Sequence, residues 1–259
     1  MKFRQTVITY LSAAAVIALG AVGFILSDDE VKQGREAVET SAQAVLEKPV
    51  IVLDAGHGGA DGGCVSVNGV PEKGINLSVM LTARDILDLL GYDVRCTRET
   101  DVSVHDEGVT GLAKQKKSDM DNRLRVINDS GAMLAVSIHQ NQFTDGRYSG
   151  AQMFYKAESA ESSALADTLR ERFRVWLQPD NERETKPVGD ELFLIHNAKC
   201  PAVMVECGFL SNPEEAARLE SPGYQKEVAL VIADGINCYW DSKRGGVITQ
   251  ETLPSGSTT

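Results

Sequence analysis

The sequence is poor in basic and aromatic residues, and its five cysteines form no Cys-x-x-Cys pair. A formal net charge of -11, from 26 Lys and Arg against 37 Asp and Glu, argues against nucleic acid as a partner, because phosphate binding needs clustered basic side chains. Without paired cysteines a structural zinc site made of thiolates is unsupported. The odd number leaves at least one cysteine unpaired, and we expect most of them to be buried as small apolar side chains.

One stretch is long and uncharged enough to cross a membrane. It covers residues 7–26, follows Lys2 and Arg4, and is followed at once by three acidic residues. At about 1.5 Å per helical residue it spans roughly 30 Å, and the flanking charges place the rest of the chain outside the cytoplasm. We expect 1–27 to be an uncleaved membrane anchor, with a cleaved signal peptide as the alternative. Residues 28–48, polar and rich in alanine, are expected to form a spacer.

The sequence from residue 49 to residue 242 has the pattern of one α/β domain. The apolar run Ile51–Leu53 predicts a buried strand, followed by an amphipathic helix at 76–90 and a second strand at 93–97. This order is typical of a parallel sheet, so we expect a twisted, mostly parallel (mixed) sheet flanked by helices. Further strands are predicted at 133–138, 150–156, 192–195 and 202–205, helices at 119–128, 160–177, 213–219 and 224–240, and a disordered tail at 243–259.

Residues 99–118 form a long polar stretch without clear periodicity. Loops of this length inside a compact domain are uncommon unless they cover a functional site or are mobile. The stretch is therefore predicted to be a mobile rim or lid beside the site.

Reactive side chains recur where predicted strands end. His57 follows the first strand in a glycine-rich turn, and His139 and Glu206 each follow a later apolar strand. Open α/β sheets bind ligands just beyond the carboxyl ends of their strands, so these side chains are expected to converge, joined by Glu72 from the glycine-rich loop. A catalytic zinc ion needs three histidine or carboxylate ligands and one open position for water. We predict His57, Glu72 and His139 as the metal ligands, and Glu206 as the catalytic carboxylate that accepts the proton of the water.

Each of these residues also has a simpler interpretation. Glu72 could favour the positive N-terminal end of the following helix. Either histidine could be a hydrogen-bonded polar residue at a strand end, and Glu206 could pair with an arginine. The same placement three times, in a chain with only four histidines, favours the metal site.

Neighbouring side chains are given lesser roles. His105 is expected on the solvated surface, and His196, at the end of another predicted strand, is expected to support the site or the fold. Cys64 and Cys207 could ligate the metal as thiolates, although we do not favour this. Asp54 is expected to orient His57 or to cap the loop.

Five sequence blocks resemble the zinc-dependent N-acetylmuramoyl-L-alanine amidases of bacterial cell walls. They span nearly all of residues 49–240 in the family's order. The blocks are Leu53–Gly59, Glu72 with Asn76 and Leu77, Thr97–Asp101, Ser137–Asn141 and Val205–Asn212.

The resemblance implies a twisted mixed sheet between helices and a Zn²⁺ cofactor. His57, Glu72 and His139 would correspond to the family's zinc ligands, and Glu206 to its catalytic glutamate. The implied reaction is hydrolysis of the amide that joins muramic acid to the L-alanine of the stem peptide in peptidoglycan, with zinc polarising the carbonyl and activating water.

Within the family, the chain is similar to the germination-specific amidases of spore-forming bacteria, which have one N-terminal membrane segment, one amidase domain and no wall-binding repeats. The loop at 107–119 also resembles that subgroup, which strips stem peptides from cortex peptidoglycan on the route to muramic-δ-lactam. Two residues depart from the family pattern. Ala55 stands where many members have proline. Gln140 stands where a small residue is more common, which puts the shape of the substrate groove in question.

Two other functions are compatible with the same residues. One is a membrane-tethered peptidoglycan-binding protein without catalysis. The other is a different zinc hydrolase of the cell wall, such as a peptidase acting within the stem peptide or a sugar deacetylase. The sequence leaves open the oligomeric state and whether an accessory activator protein is needed.

Overall fold

A computed structural model of the protein describes the backbone of residues 49–251 and the side chains of residues 49–244. The predicted anchor at 1–27 and the predicted spacer at 28–48 lie outside the described residues, as does the end of the chain from residue 252. Among the helices of the described part, none has both the length and the apolar character that crossing a membrane requires.

Strands and helices largely alternate along the described chain. The strands are β1 (Val50–Ala55), β2 (Asp93–Cys96), β3 (Leu134–Asn141), β4 (Gln152–Lys156), β5 (Lys186–Val188) and β6 (Ala202–Phe209). The helices are α1 (Glu72–Leu89), α2 (Leu112–Asp129), α3 (Ala160–Trp176), α4 (Phe193–Asn197), α5 (Pro213–Leu219) and α6 (Pro222–Glu251).

The six strands form one sheet in the order β2-β1-β3-β6-β4-β5. All neighbours run parallel except β4 and β6, which are antiparallel. The predicted mixed, mostly parallel sheet flanked by helices is therefore confirmed. Because β1, β3 and β6 are parallel neighbours, their carboxyl ends meet at one edge of the sheet, which is where α/β proteins place their ligands.

Apolar side chains fill both faces of the sheet. Along β1, Ile51 and Leu53 pack into the larger core with α1, α3 and α6. Val52 points the other way, into a smaller core that contains Ile127 of α2 and Leu194 of α4. Successive strand residues face opposite sides, so a strand buried on both faces is mostly apolar, as β1 is apart from Asp54. The result is a sheet between two helical layers.

Several element boundaries differ from the prediction. Helix α1 begins at Glu72 rather than near Asn76, directly after Pro71, which cannot donate a hydrogen bond but is tolerated at a helix start. Helix α2 begins at Leu112, so it takes up the second part of the predicted loop at 99–118. Its exposed, polar first turns lack the apolar periodicity by which a helix is recognised in a sequence.

One prediction of element type is wrong. Residues 193–197 form helix α4 rather than a strand, since a short apolar run does not distinguish the two. Helix α6 extends beyond its predicted end at residue 240 to Glu251, and the remainder of the predicted tail lies outside the described residues.

Candidate active site

His57 lies in the turn that follows β1, and its backbone has a φ of 64°, a left-handed conformation that non-glycine residues seldom adopt. Gly56 precedes it, and a side chain there would overlap the imidazole of His139. The glycine therefore allows the turn to pack directly against the histidine of the neighbouring strand. Strand β3 continues past the predicted end to Asn141, so His139 lies within the strand.

Glu72, the first residue of α1, lies between the two histidines. Its Oε1 is 3.0 Å from His139 Nδ1, and its Oε2 is 3.3 Å from His57 Nε2. The backbone N–H groups of Cys64 and Gln140 and the amide of Asn76 also donate to this carboxylate. Burial alone would raise the pKa of Glu72, but the hydrogen bonds and charges of the two histidines outweigh it and hold the pKa well below its usual range. The carboxylate is thus ionised and fixed in place.

One ligand atom from each of His57, Glu72 and His139 lies within 4.8 Å of the others, which is close enough for the three side chains to hold one metal ion. Cys64 and Cys207 are not part of this group. Burial raises the pKa of both thiols, which disfavours the thiolate form that binds a metal. The alternative of cysteine ligation is not supported.

Glu206 lies in β6 directly opposite His139 of β3. Its Oε2 is buried and has no hydrogen-bond partner among the described residues. Burial, together with the negative charge of Glu72, raises the pKa of Glu206 to about 7 against the opposing effect of the histidines. A buried carboxyl group of this kind can both take up and release a proton near neutral pH, as a catalytic acid or base must. Among the described residues, Glu206 forms no ion pair with an arginine, so this alternative is not supported.

With this geometry in place, the chain can be compared with known proteins. The family model described as N-acetylmuramoyl-L-alanine amidase matches residues 51–238, more than half of the chain. The chain belongs to this amidase family.

Named relatives agree with the assignment. The amidase is 38% identical to the germination-specific N-acetylmuramoyl-L-alanine amidase of Bacillus subtilis over 198 residues, which cover 76% of this chain and 82% of that protein. It is 36% identical to the solved CwlD amidase of Clostridioides difficile, determined in complex with the GerS lipoprotein, with a TM-score of 0.73 over 75% of this chain and 100% of that one. It is also 30% identical to the catalytic domain of CwlV from Bacillus (Paenibacillus) polymyxa, with a TM-score of 0.62 over 74% of this chain and 98% of that one.

Asp61 orients His57 in the amidase, a role that was not predicted from the sequence. Its Oδ2 is 3.1 Å from His57 Nδ1, which leaves Nε2 directed at Glu72. Burial disfavours the protonated imidazole, but Glu72 and Asp61 together raise the pKa of His57. The position of Asp61 in the sequence could have indicated this contact, since a carboxylate four residues after a histidine in a turn can reach the histidine ring.

Asp61→Ala is expected to weaken metal binding by roughly 10- to 100-fold, because the imidazole loses the partner that fixes its orientation. Asp61→Asn keeps an acceptor oxygen and should lose less. Competition with a chromophoric chelator measures both affinities. Equal affinities in the wild type and Asp61→Ala would show that Asp61 has no orienting role.

Asp54 does not hydrogen-bond to the imidazole of His57, so it does not orient that ring directly, which was one of its two predicted roles. Its carboxylate accepts hydrogen bonds from Thr97, Ser137 and Arg123, and all of these groups are buried. Burial opposes ionisation, but the charge of Arg123 and the two hydroxyl groups lower the pKa of Asp54 to about 2. Asp54 therefore acts through Arg123, which in turn donates to the backbone carbonyl of His57 at 2.6 Å.

Asp54→Asn should lower the free energy of unfolding at pH 7 by about 3 kcal/mol, because it removes the carboxylate from a buried ion pair. The folded-state pKa is below the unfolded value of 3.8, so the ionised carboxylate stabilises the fold above about pH 4 and loses this effect as the pH falls toward 2. The difference between wild type and variant should shrink over that range. Denaturant titrations at several pH values measure it, and a constant difference would contradict the ion pair.

A cleft of about 830 Å³ opens over His57 and His139. One wall comes from the loop at 101–105 and the start of α2, and the other from residues 191–194. The predicted role of the 99–118 stretch as a rim is confirmed in position, whereas its mobility stays a prediction. His105 lines the cleft and contacts the hydroxyl of Ser103 at 2.8 Å, so it is not simply a solvated surface histidine.

His196 and Gln140, the two remaining residues with an expected role, both lie outside the cleft lining. His196 lies in α4, not at a strand end, and does not line the cleft. Gln140 is buried, and its side chain donates to Asn76 beneath Glu72. It contacts Asn76, which in turn donates to Glu72, and it does not line the cleft.

Proposed function

We propose that His57, Glu72 and His139 bind a zinc ion and that Glu206 is the catalytic carboxylate of this amidase. The proposal rests chiefly on one observation: three donor groups converge, two of which (His57 and His139) line the cleft, and a buried carboxyl oxygen of Glu206, opposite His139, has no hydrogen-bond partner among the described residues. The donor set fits a catalytic zinc ion, since two imidazoles and one carboxylate are a known set of ligands that leaves the fourth position open for water. A structural zinc ion would need four protein ligands. We further propose 49–242 as the catalytic domain.

Zinc bound there would polarise the amide carbonyl of the substrate and lower the pKa of a water molecule. The other steps fall to side chains of this chain. Glu206 accepts the proton of the attacking water and delivers it to the departing amine, and its pKa of about 7 suits both transfers. Glu72 stays ionised throughout, because its hydrogen bonds favour the charged form.

Removal of zinc tests this proposal. Dialysis of the purified full-length protein against a chelator should abolish the release of stem peptides from peptidoglycan, and one equivalent of zinc should restore it. Magnesium, which prefers six oxygen ligands, should not. Hydrolysis that continues in metal-free protein would refute the zinc proposal.

We also propose that the protein acts outside the cytoplasm on spore cortex peptidoglycan, on the route to muramic-δ-lactam. The identity to the germination-specific amidase of Bacillus subtilis supports this role. The test is muropeptide analysis of cortex from spores that lack this protein. Muramic-δ-lactam should be missing, and a copy with Glu206→Gln should not restore it. Normal lactam content in the deletion strain would overturn the spore role.

An accessory protein is a further proposal. The amidase of Clostridioides difficile was solved in complex with the GerS lipoprotein, and a lipoprotein of the same kind is the partner we propose here. Activity of the purified chain should rise when such a lipoprotein from the same organism is added. Full activity of the isolated chain, with no increase, would argue against this partner. No specific feature of the site favours the two alternative functions, a peptidoglycan-binding protein without catalysis and a different zinc hydrolase of the cell wall.

A further inference from the structure

Among the described residues, His57 is the one non-glycine residue with a positive φ. Its backbone conformation is intrinsically unfavourable, so the surrounding structure must impose it. This conformation directs the imidazole of a proposed metal ligand toward Glu72. The groups that bind the backbone of this turn are therefore of interest for the site.

Arg98, which follows β2, makes the first set of contacts. It is buried, and its Nε donates to the carbonyl of Ala55 at 2.9 Å. Its Nη2 donates to two carbonyls, those of Gly56 at 3.0 Å and Lys73 at 2.8 Å. These two carbonyls belong to the neighbours of His57 and Glu72. One guanidinium nitrogen thus connects the backbone beside two proposed metal ligands that are distant in the sequence.

Arg123 of α2 makes the second set. It is also buried, and its Nη1 and Nη2 donate to the carbonyls of Ala55 at 2.7 Å and His57 at 2.6 Å. Ion pairs with Asp54 and Asp119, at 2.7 Å and 2.6 Å, hold the guanidinium in place. Three consecutive carbonyls, from Ala55 to His57, therefore all accept hydrogen bonds from the two arginines.

Burial of Arg98 is costly for the fold. Burial and the nearby charge of Arg123 lower the pKa of Arg98. Within residues 49–244, Arg98 forms no ion pair that would offset this, and its hydrogen bonds all go to backbone carbonyls. Buried charges without an ionic partner are rare. Stability alone does not explain why the charge of Arg98 is buried without an ionic partner. A requirement to hold the turn at the site in one conformation does explain it.

We propose that Arg98 and Arg123 form a clamp that sets the left-handed backbone of His57 before any metal binds, and so presets the distance between His57 and Glu72. Both are positioning residues, since neither belongs to the metal-binding group. The inference deepens the proposed function, on which its consequence for zinc affinity rests. Without the clamp, the turn relaxes toward negative φ and the imidazole moves away from Glu72.

The test uses Arg98→Lys and Arg123→Lys in the purified full-length protein. Lysine keeps the charge but cannot direct the fork of donors to several carbonyls at once. Zinc affinity by chelator competition should fall by roughly 10- to 100-fold in each variant, as for the loss of other groups that support metal ligands. Leu169→Ala is the matched control, because it removes a fully buried side chain of α3 and lowers thermal stability without contacting the turn. Its zinc affinity should equal that of the wild type.

Crystal structures of the metal-free wild type and Arg98→Lys give an independent readout. The φ of His57 should stay near +64° in the wild type and become negative in the variant. An unchanged φ or an unchanged zinc affinity in folded variants would overturn the clamp, as would an equal loss of affinity in Leu169→Ala. If one arginine variant fails to fold, the other carries the same test. A wild-type chain that binds no zinc would refute the proposed function, and the φ of His57 would still decide the clamp.

Discussion

Glu206→Gln should lower the rate of amide hydrolysis by about 10²- to 10⁴-fold while leaving the zinc content of the protein unchanged. Glutamine has nearly the same shape as glutamate but cannot take the proton of the attacking water or pass it to the amine. Because Glu206 is not one of the three groups that form the proposed metal site, binding of the ion should not depend on it. Initial rates of stem-peptide release and metal analysis of the same sample measure both quantities.

Glu158→Gln is the matched control for this variant, since Glu158 is exposed and lies outside the cleft. It should keep the wild-type rate. Full activity in Glu206→Gln would refute the assigned role of this carboxylate. A joint loss of zinc and activity would instead show that Glu206 belongs to the metal-binding set.

Gly56→Ala should abolish both zinc binding and hydrolysis, with an activity loss of at least about 100-fold. The added methyl group would overlap the imidazole of His139, so that ring or the turn must move. Either movement separates His139 from Glu72 and His57. A misplacement of about 1 Å at a catalytic centre can cost about 10²-fold in rate.

The control for this variant lies in the same loop. At Gly62 a methyl group would meet only Pro71, at 3.7 Å, which is ordinary van der Waals contact. Gly62→Ala should therefore bind zinc and hydrolyse substrate nearly as the wild type does. If Gly56→Ala did so too, the close packing of the turn against His139 would not matter for the site.

The fold class could be predicted from the sequence because its central strands are buried on both faces. β1, β3 and β6 each begin with a mostly apolar run, and the buried residues of α1 and α3 recur at helical spacing. The elements without such a pattern were not predicted from the sequence. The three-residue strand β5 and the five-residue helix α4 are shorter than any reliable period, and the first turns of α2 are exposed and polar.

The convergence of His57, Glu72, His139 and Glu206 was also predictable, because three of them lie directly after, or in the carboxyl-terminal half of, parallel strands. The sequence showed which residue types recur at the sheet edge, and the geometry brings them together. The side chains that hold these four residues in place were not predictable in the same way. Arg98 and Arg123 come from elements distant in the sequence, and their roles depend on backbone carbonyls, which every residue has. No pattern of side chains indicates which carbonyls will need a partner.

The most direct test of the proposed mechanism is mass spectrometry of purified peptidoglycan after digestion by the full-length protein, with zinc content determined on the same sample. We predict peptide-free muramic residues together with free stem peptides that begin at L-alanine, from protein that carries one zinc ion per chain. Cleavage within the stem peptide or loss of acetyl groups would contradict the amide as the bond that is cut. Correct products from protein without zinc would contradict the metal site.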